Sequence, residues 1–299
     1  MKIKKILAAA LAGAVLTGVC ACTANPEVET KGDVSKQAIL VVSFGTSYND
    51  TREKTIGAVE KAIEASFPDY DVRRAFTSQT IINKLRDRDG EEIDNVAEAM
   101  DKLVSEGYGT VIVQPTHIMN GYEYDEMIEA CAEYEDKIEN LRYGKPALSS
   151  DEDYETAVRV LADETPDMTA DDTAVVFVGH GTEHFANAAY SALAYRLWAD
   201  GYVKTFVGTV EAYPGMDEVK AQLAASGVTR VTLFPFMIVA GDHASNDICG
   251  EEEGSWYTEL KKEGYEVTGI KKGLGEYAGI QQMFVSHVED AINDVGEEE

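Results

Sequence analysis

The chain has few residues that could form covalent cross-links or bind polyanions. Only 4 of its 299 residues are cysteine, which excludes a disulfide-rich scaffold. Outside the first 22 residues only Cys131 and Cys249 remain, and they could form one disulfide or serve as small buried hydrophobic side chains. Lysine and arginine total 26 against 54 aspartate and glutamate, so the net charge is −28. Non-specific nucleic-acid binding needs clustered positive charge, and we therefore expect no nucleic-acid partner.

Long apolar runs are also scarce, and the one present lies at the amino terminus. Three lysines precede an apolar stretch at 6–19, and polar residues follow Cys22. The stretch is too short and wrongly flanked for a stable membrane span, which predicts a secretory signal over 1–22. Because Ala21 precedes it, Cys22 fits the lipid acceptor of a bacterial lipobox. An ordinary signal peptide with incidental cysteines is the alternative.

These features predict a lipoprotein exported to the cell envelope, on the periplasmic side. Residues 23–37 would be the linker, and the lipid on Cys22 would be the only contact with the membrane.

From Gln37 onward, apolar strands alternate with amphipathic helices, which is typical of an α/β fold with parallel sheets and crossover helices. The pattern predicts these strands and three of the longer helices: strands 38–44, 71–76, 110–114, 174–179, 204–210, 230–234 and 265–270; helices 51–66, 124–138 and 277–293.

The two halves of the chain repeat the same order of elements. The sequence VVSFGTS at 41–47 matches VVFVGHGT at 175–182, with Gly45 aligned to Gly181. A later strand ends at Pro115 in the first half and at Pro235 in the second, and a glycine follows six residues after each. We therefore predict two similar lobes, 38–170 and 171–299, each with a parallel sheet flanked by helices, facing each other across a ligand cleft.

Polar residues follow three strands of the second half. His180 follows strand 174–179, Glu211 ends strand 204–210, and His243 lies in the loop after strand 230–234. The carboxyl ends of adjacent parallel strands lie side by side, and ligands bind at that edge. Two imidazoles and one carboxylate suit a divalent ion such as Co²⁺, Ni²⁺, Fe²⁺ or Zn²⁺. The topology therefore predicts a metal site.

Each of these residues also has a purely structural interpretation. His180 could be a turn residue satisfied by the backbone, and His243 a solvated loop residue. Glu211 could cap the helix that begins near Pro214, where a carboxylate meets free N–H groups. Among the other histidines, His184 has a supporting or exposed position, His117 lies in a loop of the first lobe that could touch a ligand, and His287 is expected at the surface of the last helix.

The motifs together resemble one known family, the anaerobic cobalt chelatases, which are sirohydrochlorin cobaltochelatases of the class II chelatase group. The resemblance covers about 38 to 295 and is carried by SFGT at 43–46, QPTH at 114–117, GHGT at 179–182, Glu211 and GDHA at 241–244. It implies two similar lobes with a tetrapyrrole cleft between them. By this resemblance, His180 matches the catalytic proton acceptor, and His180, Glu211 and His243 match the metal ligands.

The residue types suit the reaction that the resemblance implies. Metal insertion expels two inner N–H protons from the macrocycle, and neutral imidazole can accept a proton or bind a metal near neutral pH. A site with only a few protein ligands would also allow the ion to be released. The expected partners are sirohydrochlorin and a divalent metal as substrate, Co²⁺ first, with Ni²⁺ or Fe²⁺ as alternatives.

The export signal departs from a cytoplasmic biosynthetic enzyme and keeps a second function open. A cell-envelope carrier of haem, another tetrapyrrole or a metal ion could use the same fold. A metal-dependent hydrolase is disfavoured, because the sequence shows neither an activated nucleophile nor a set of carboxylates for two metals. The sequence leaves the oligomeric state open, with a homo-oligomer as one option.

Overall fold

Two four-stranded parallel sheets organise the chain. The computed structural model describes residues 31–294. The strand order is β2-β1-β3-β4 in the first sheet and β6-β5-β7-β8 in the second, and every neighbouring pair is parallel. The strands are β1 (Asp33–Ser43), β2 (Asp71–Phe76), β3 (Tyr108–Pro115), β4 (Asn140–Tyr143), β5 (Thr173–Gly179), β6 (Thr205–Thr209), β7 (Arg230–Pro235) and β8 (Glu266–Gly269).

Helices flank both sheets, so the predicted fold class, α/β with two parallel sheets flanked by helices, is confirmed. Side-chain caps begin several of them; in α4 Asn95 and Glu98 form a reciprocal capping box. The helices are α1 (Asn49–Lys54), α2 (Ile56–Ser66), α3 (Gln79–Asp89), α4 (Val96–Ser105), α5 (Tyr122–Ala132), α6 (Asp151–Glu164), α7 (Ala188–Ala199), α8 (Met216–Ser226), α9 (Trp256–Lys262) and α10 (Ala278–Asn293).

The register of the sheets reproduces the repeat seen in the sequence. Val42 of β1 lies opposite Pro115 of β3, and Val178 of β5 lies opposite Pro235 of β7. The glycine that follows by three residues has a left-handed backbone in both halves, with φ of +99° at Gly45 and +88° at Gly181. The two halves therefore share backbone geometry as well as sequence pattern.

The two sheets share one apolar core, and the last helix crosses between the halves. Ile39 of β1, Phe177 of β5 and Phe284 of α10 are all buried in the same hydrophobic cluster. Although α10 follows the second sheet in the chain, it packs against α2, α6, β3 and β4. The lobe boundary between 170 and 171 stays a prediction, but the end of the chain contributes to the packing of the first sheet.

Three local features differ from the sequence predictions. Residues 33–37, predicted as linker, begin β1, because this stretch pairs with β3. Helix 51–66 is interrupted at Thr55. The Thr55 backbone lies so close to Gly275 that a Cβ atom at position 275 would be only 2.9 Å from it. Helix 124–138 ends at Ala132, and the short edge strand β4, which has only 4 residues, follows it.

The remaining cysteines do not pair. Cys131 and Cys249 are free and buried, and they belong to separate hydrophobic clusters. Burial raises the pKa of the Cys131 thiol to about 12 and that of Cys249 to about 11, so both are protonated at neutral pH. Between residues 31 and 294, no helix is both long enough and apolar enough to cross a membrane.

His287 is buried, so its predicted surface position is wrong. On α10 its ring is 4% exposed, Nδ1 lies 2.9 Å from the Lys145 carbonyl oxygen, and Nε2 lies 2.8 Å from Asp153 Oδ1. Both partners only accept hydrogen bonds, so both ring nitrogens donate and the imidazolium pairs with the carboxylate. Burial is the largest single influence and acts to raise the pKa of Asp153, but the hydrogen bond and charge of His287, together with hydrogen bonds from Ser149 and Ser150, lower it overall.

We expect His287→Ala to destabilise the chain by about 3 kcal/mol, because it leaves a buried carboxylate without its partner. Since the pKa of Asp153 is lowered on folding, its contribution is complete above the unfolded pKa and is lost as the pH falls through the folded value. Urea unfolding from pH 7 to pH 3 measures both effects. Ser286→Ala, at the exposed neighbouring position, is the control; equal stabilities of the two variants at pH 7 would contradict the pairing.

Candidate metal centre

The structure brings the three predicted ligands to the carboxyl edge of the second sheet. His180 directly follows β5, Glu211 lies two residues after β6, and His243 lies eight residues after β7, immediately before a π-helical turn over Ala244–Ile248. One ligand atom from each of the three side chains lies within 4.8 Å of the others. The arrangement is compact enough for a single ion to contact all three.

Backbone hydrogen bonds extend the β5–β6 ladder beyond the strands and place the first two ligands side by side. The Val210 amide donates to the Gly179 carbonyl at 3.0 Å, and the Glu211 amide donates to the His180 carbonyl at 2.9 Å. The imidazole and the carboxylate consequently extend from neighbouring backbone positions, and His180 Nδ1 lies 3.8 Å from Glu211 Oε2.

Two glycines make this turn sterically feasible. A Cβ atom at Gly179 would lie 2.1 Å from the ring of Tyr190, and one at Gly181 would lie 2.8 Å from both the backbone nitrogen and the Cβ of Ala212. Gly181 also has a left-handed backbone, which other residues rarely adopt. His180 is thus held between two positions that admit no side chain.

In both imidazoles Nδ1 lies against a hydrogen-bond acceptor. His180 Nδ1 lies 2.8 Å from the Gly181 carbonyl oxygen, and His243 Nδ1 lies 2.8 Å from Asp247 Oδ2. Because a carbonyl and a carboxylate accept hydrogen bonds, Nδ1 carries the proton in both rings and Nε2 keeps a free lone pair. A carboxylate behind a histidine also makes it a stronger metal ligand, so His243 should bind more tightly than His180.

The donor set is open to solvent. The side chains of His180, Glu211 and His243 are 48%, 55% and 37% exposed, and the two rings are perpendicular, with centroids 4.6 Å apart. Three protein ligands leave coordination positions free for other groups, unlike a closed four-ligand structural site. The geometry suits an ion that enters and leaves.

The first sheet has the same frame without the ligands. Its β1–β2 ladder also extends beyond the strands, because the Ser78 amide donates to the Phe44 carbonyl at 3.2 Å. Phe44 therefore takes the place of His180 and Ser78 that of Glu211. Counting from the aligned glycines 121 and 241, Glu123 takes the place of His243. Only the second half combines this frame with two imidazoles and a carboxylate.

The other predicted histidines lie outside the donor set. The side chain of His184 is 9% exposed; its Nδ1 accepts the Ala186 amide hydrogen at 3.2 Å, and its Nε2 lies 3.4 Å from Asp125 of the first half. Both ring nitrogens of His117 are buried, and among residues 31–294 they have no hydrogen-bond partner. Burial lowers the pKa of His117 to about 4, so this ring is neutral at pH 7.

Two residues next to His243 were missed by the sequence analysis. Asp247 lies four residues after His243, a spacing that brings side chains together on a helical turn. That signal was available, but the segment was not predicted to be helical. Asp242 accepts a hydrogen bond from Tyr48, 194 residues earlier in the chain, at 2.5 Å, and this bond raises the pKa of Tyr48. No pattern in the sequence indicates this pair.

Two solved structures share the fold. SirB from Bacillus subtilis with Fe³⁺ has a TM-score of 0.61 at 16% identity, covering 87% of this chain and 96% of that one. CbiX, the terminal enzyme for biosynthesis of siroheme in denitrifying bacteria, has a TM-score of 0.52 at 14% identity, covering 85% and 99%. These likenesses show that the chain has the same fold as both proteins.

The family follows from the sequence matches. The family model described as cobalt chelatase (CbiK) matches residues 37–293, and the chain belongs to this family. It is 43% identical over 263 residues to a sirohydrochlorin cobaltochelatase of Salmonella typhimurium, covering 88% of this chain and 99% of the relative. It is 31% identical to the sirohydrochlorin cobaltochelatase CbiKC of Nitratidesulfovibrio vulgaris, covering 87% and 92%.

We expect His117→Met to leave stability at pH 7 unchanged or raise it by about 1 kcal/mol, because it removes two buried nitrogens that lack partners. Met237 is the equivalent residue of the second half. A lowered histidine pKa favours the unfolded state in acid, so the wild type should lose stability as the pH falls from 6.5 towards 4, and the variant should lose less.

Urea unfolding across that pH range measures the effect. His117→Ala is the control and should destabilise by about 2 kcal/mol, because it also removes packed volume. A loss of stability in His117→Met as large as in the alanine variant would show that the ring nitrogens have stabilising partners.

Proposed function

We propose that the chain inserts Co²⁺ into sirohydrochlorin, with His180 as the proton acceptor. The observation that carries the proposal is the convergence of His180, Glu211 and His243 within 4.8 Å on an exposed sheet edge. Membership of the cobalt chelatase family and the names of the two relatives support the choice of substrates. Imidazole and carboxylate ligands also accept Ni²⁺ and Fe²⁺, and competition between the three ions would rank them.

The reaction exchanges one divalent ion for two protons. Four pyrrole-type nitrogens bind the metal, and the two that carry hydrogen release it, so a base must stand beside the macrocycle. The free Nε2 lone pair of His180 can bind the ion or accept one proton, but it cannot do both at once. His180 must therefore release the ion before it takes the proton, and water can carry away the second proton.

The two histidines are suited to different parts of this exchange. His243, supported by the Asp247 carboxylate at 2.8 Å, is the stronger ligand and would hold the ion together with Glu211. His180 is supported only by a neutral carbonyl and would leave the ion first. The weaker ligand is then the residue that is free to act as the base.

The first test is anaerobic insertion, followed by absorbance, with purified chain, sirohydrochlorin and Co²⁺. We expect His180→Ala to lower turnover by about 100-fold or more, as loss of a general base does, while it keeps part of the Co²⁺ affinity. His243→Ala should lose most of the Co²⁺ affinity as well as turnover. A wild-type rate equal to the rate without protein would reject the enzyme, and tight haem binding without turnover would favour the carrier.

We also propose that the chain is exported and anchored by lipid on Cys22. The charged, apolar and cysteine-containing segment 1–22 supports this proposal; it lies outside the described residues. In bacteria given labelled palmitate, the full chain should carry the label, Cys22→Ser should lose it, and Cys20→Ser should keep it. If only Cys20→Ser lost the label, the lipid would be attached to Cys20 instead of Cys22. An unlabelled wild-type chain would contradict the proposal that the chain is lipidated.

A further inference from the structure

The loops at the two sheet edges contact each other reciprocally. The Tyr48 hydroxyl, in the loop after β1, donates to Asp242 Oδ1, in the loop after β7, at 2.5 Å. The His184 ring, in the loop after β5, packs edge-on against Tyr122, the first residue of α5 after β3, with centroids 4.9 Å apart. Each contact joins one half of the chain to the other.

The two contacts join equivalent positions of the repeat. Tyr48 lies three residues after Gly45, and His184 lies three residues after Gly181. Asp242 directly follows Gly241, and its equivalent Tyr122 directly follows Gly121. The same pair of positions therefore meets twice, as in an interface between two copies of one surface.

Both contacts end on loops that carry metal ligands. Asp242 directly precedes His243, and His184 lies four residues after His180 on the same loop. Asp125 of the first half also lies 3.4 Å from His184 Nε2. The loops that carry His180 and His243 are thus contacted from the side by residues of the first half.

The loop that carries Tyr48 is itself fixed. Arg88 donates to the Ser47 carbonyl at 2.7 Å, and Arg52, which is 7% exposed, donates to the Thr46 carbonyl at 3.3 Å. The Tyr48 amide donates to the Thr46 hydroxyl at 3.2 Å. Because this loop is anchored within the first half, the Tyr48 phenol can serve as a fixed support for the loop that carries Asp242.

We propose that Tyr48 is a positioning residue for His243 that acts through Asp242, so that the metal centre of the second half depends on a hydroxyl of the first. This inference rests on the proposed metal site at His180, Glu211 and His243. Asp247 orients the His243 ring from within its own turn, and Tyr48 holds the backbone that carries the ring. Neither residue touches the ion.

Tyr48→Phe isolates the hydroxyl, because it changes neither the charge nor the ring, and the side chain is already 42% exposed. Titration of the purified chain with Co²⁺, without tetrapyrrole, should show affinity lowered about tenfold, as for other residues that orient a ligand. In the insertion assay KM for Co²⁺ should rise by the same factor, with little change in kcat. Tyr195→Phe, on the exposed face of α7, is the matched control and should bind Co²⁺ as the wild type does.

A double-variant cycle tests the route through Asp242. If Tyr48 acts through that carboxylate, adding Tyr48→Phe to Asp242→Ala should cause no further loss of Co²⁺ affinity. Unchanged affinity in Tyr48→Phe would overturn the proposal, as would fully additive effects in the double variant. Co²⁺ binding is measured without tetrapyrrole, so a chain that binds Co²⁺ but fails to insert it would reject the proposed function and not this inference.

Discussion

One backbone hydrogen bond, from the Glu211 amide to the His180 carbonyl, sets the geometry of the metal centre. It continues the β5–β6 ladder past the last residue of each strand, so the register of the buried sheet decides where the two ligands stand. Side chains have no part in this bond, and directly after it Gly181 turns the chain where a Cβ would lie 2.8 Å from Ala212. The relative position of His180 and Glu211 is therefore set by the core strands rather than by the loops that follow them.

The repeat separates the frame of the site from its chemistry. Both halves extend their ladders in the same way, yet Phe44 and Ser78 occupy the places of His180 and Glu211. The first half instead presents Tyr48 and Tyr122 towards the loops of the second. Two similar folding units thus differ in their residues: one carries the ligands, and the other contacts the loops of His180 and His243.

Sequence patterns predicted the central strands and the convergence of the three ligands, because apolar runs and parallel topology are local or general properties. They failed where distant contacts decide. β4 was missed because 4 residues at a sheet edge have little periodicity, and the interruption of helix 51–66 at Thr55 does not show in the spacing of its apolar residues. The amphipathic pattern of α10 did not show that His287 faces Asp153, 134 residues away. The Tyr48–Asp242 pair is equally non-local.

The position of α10 also determines when the first half can complete its fold. This helix packs on β3, β4 and α2, but it is synthesised after the whole second sheet. β4 ends at residue 143 and α10 begins at residue 278, so at about 5–20 residues per second roughly 7 to 27 seconds pass before this helix can cover the apolar surface of the first sheet. The first half therefore completes its core only after the second half has been synthesised.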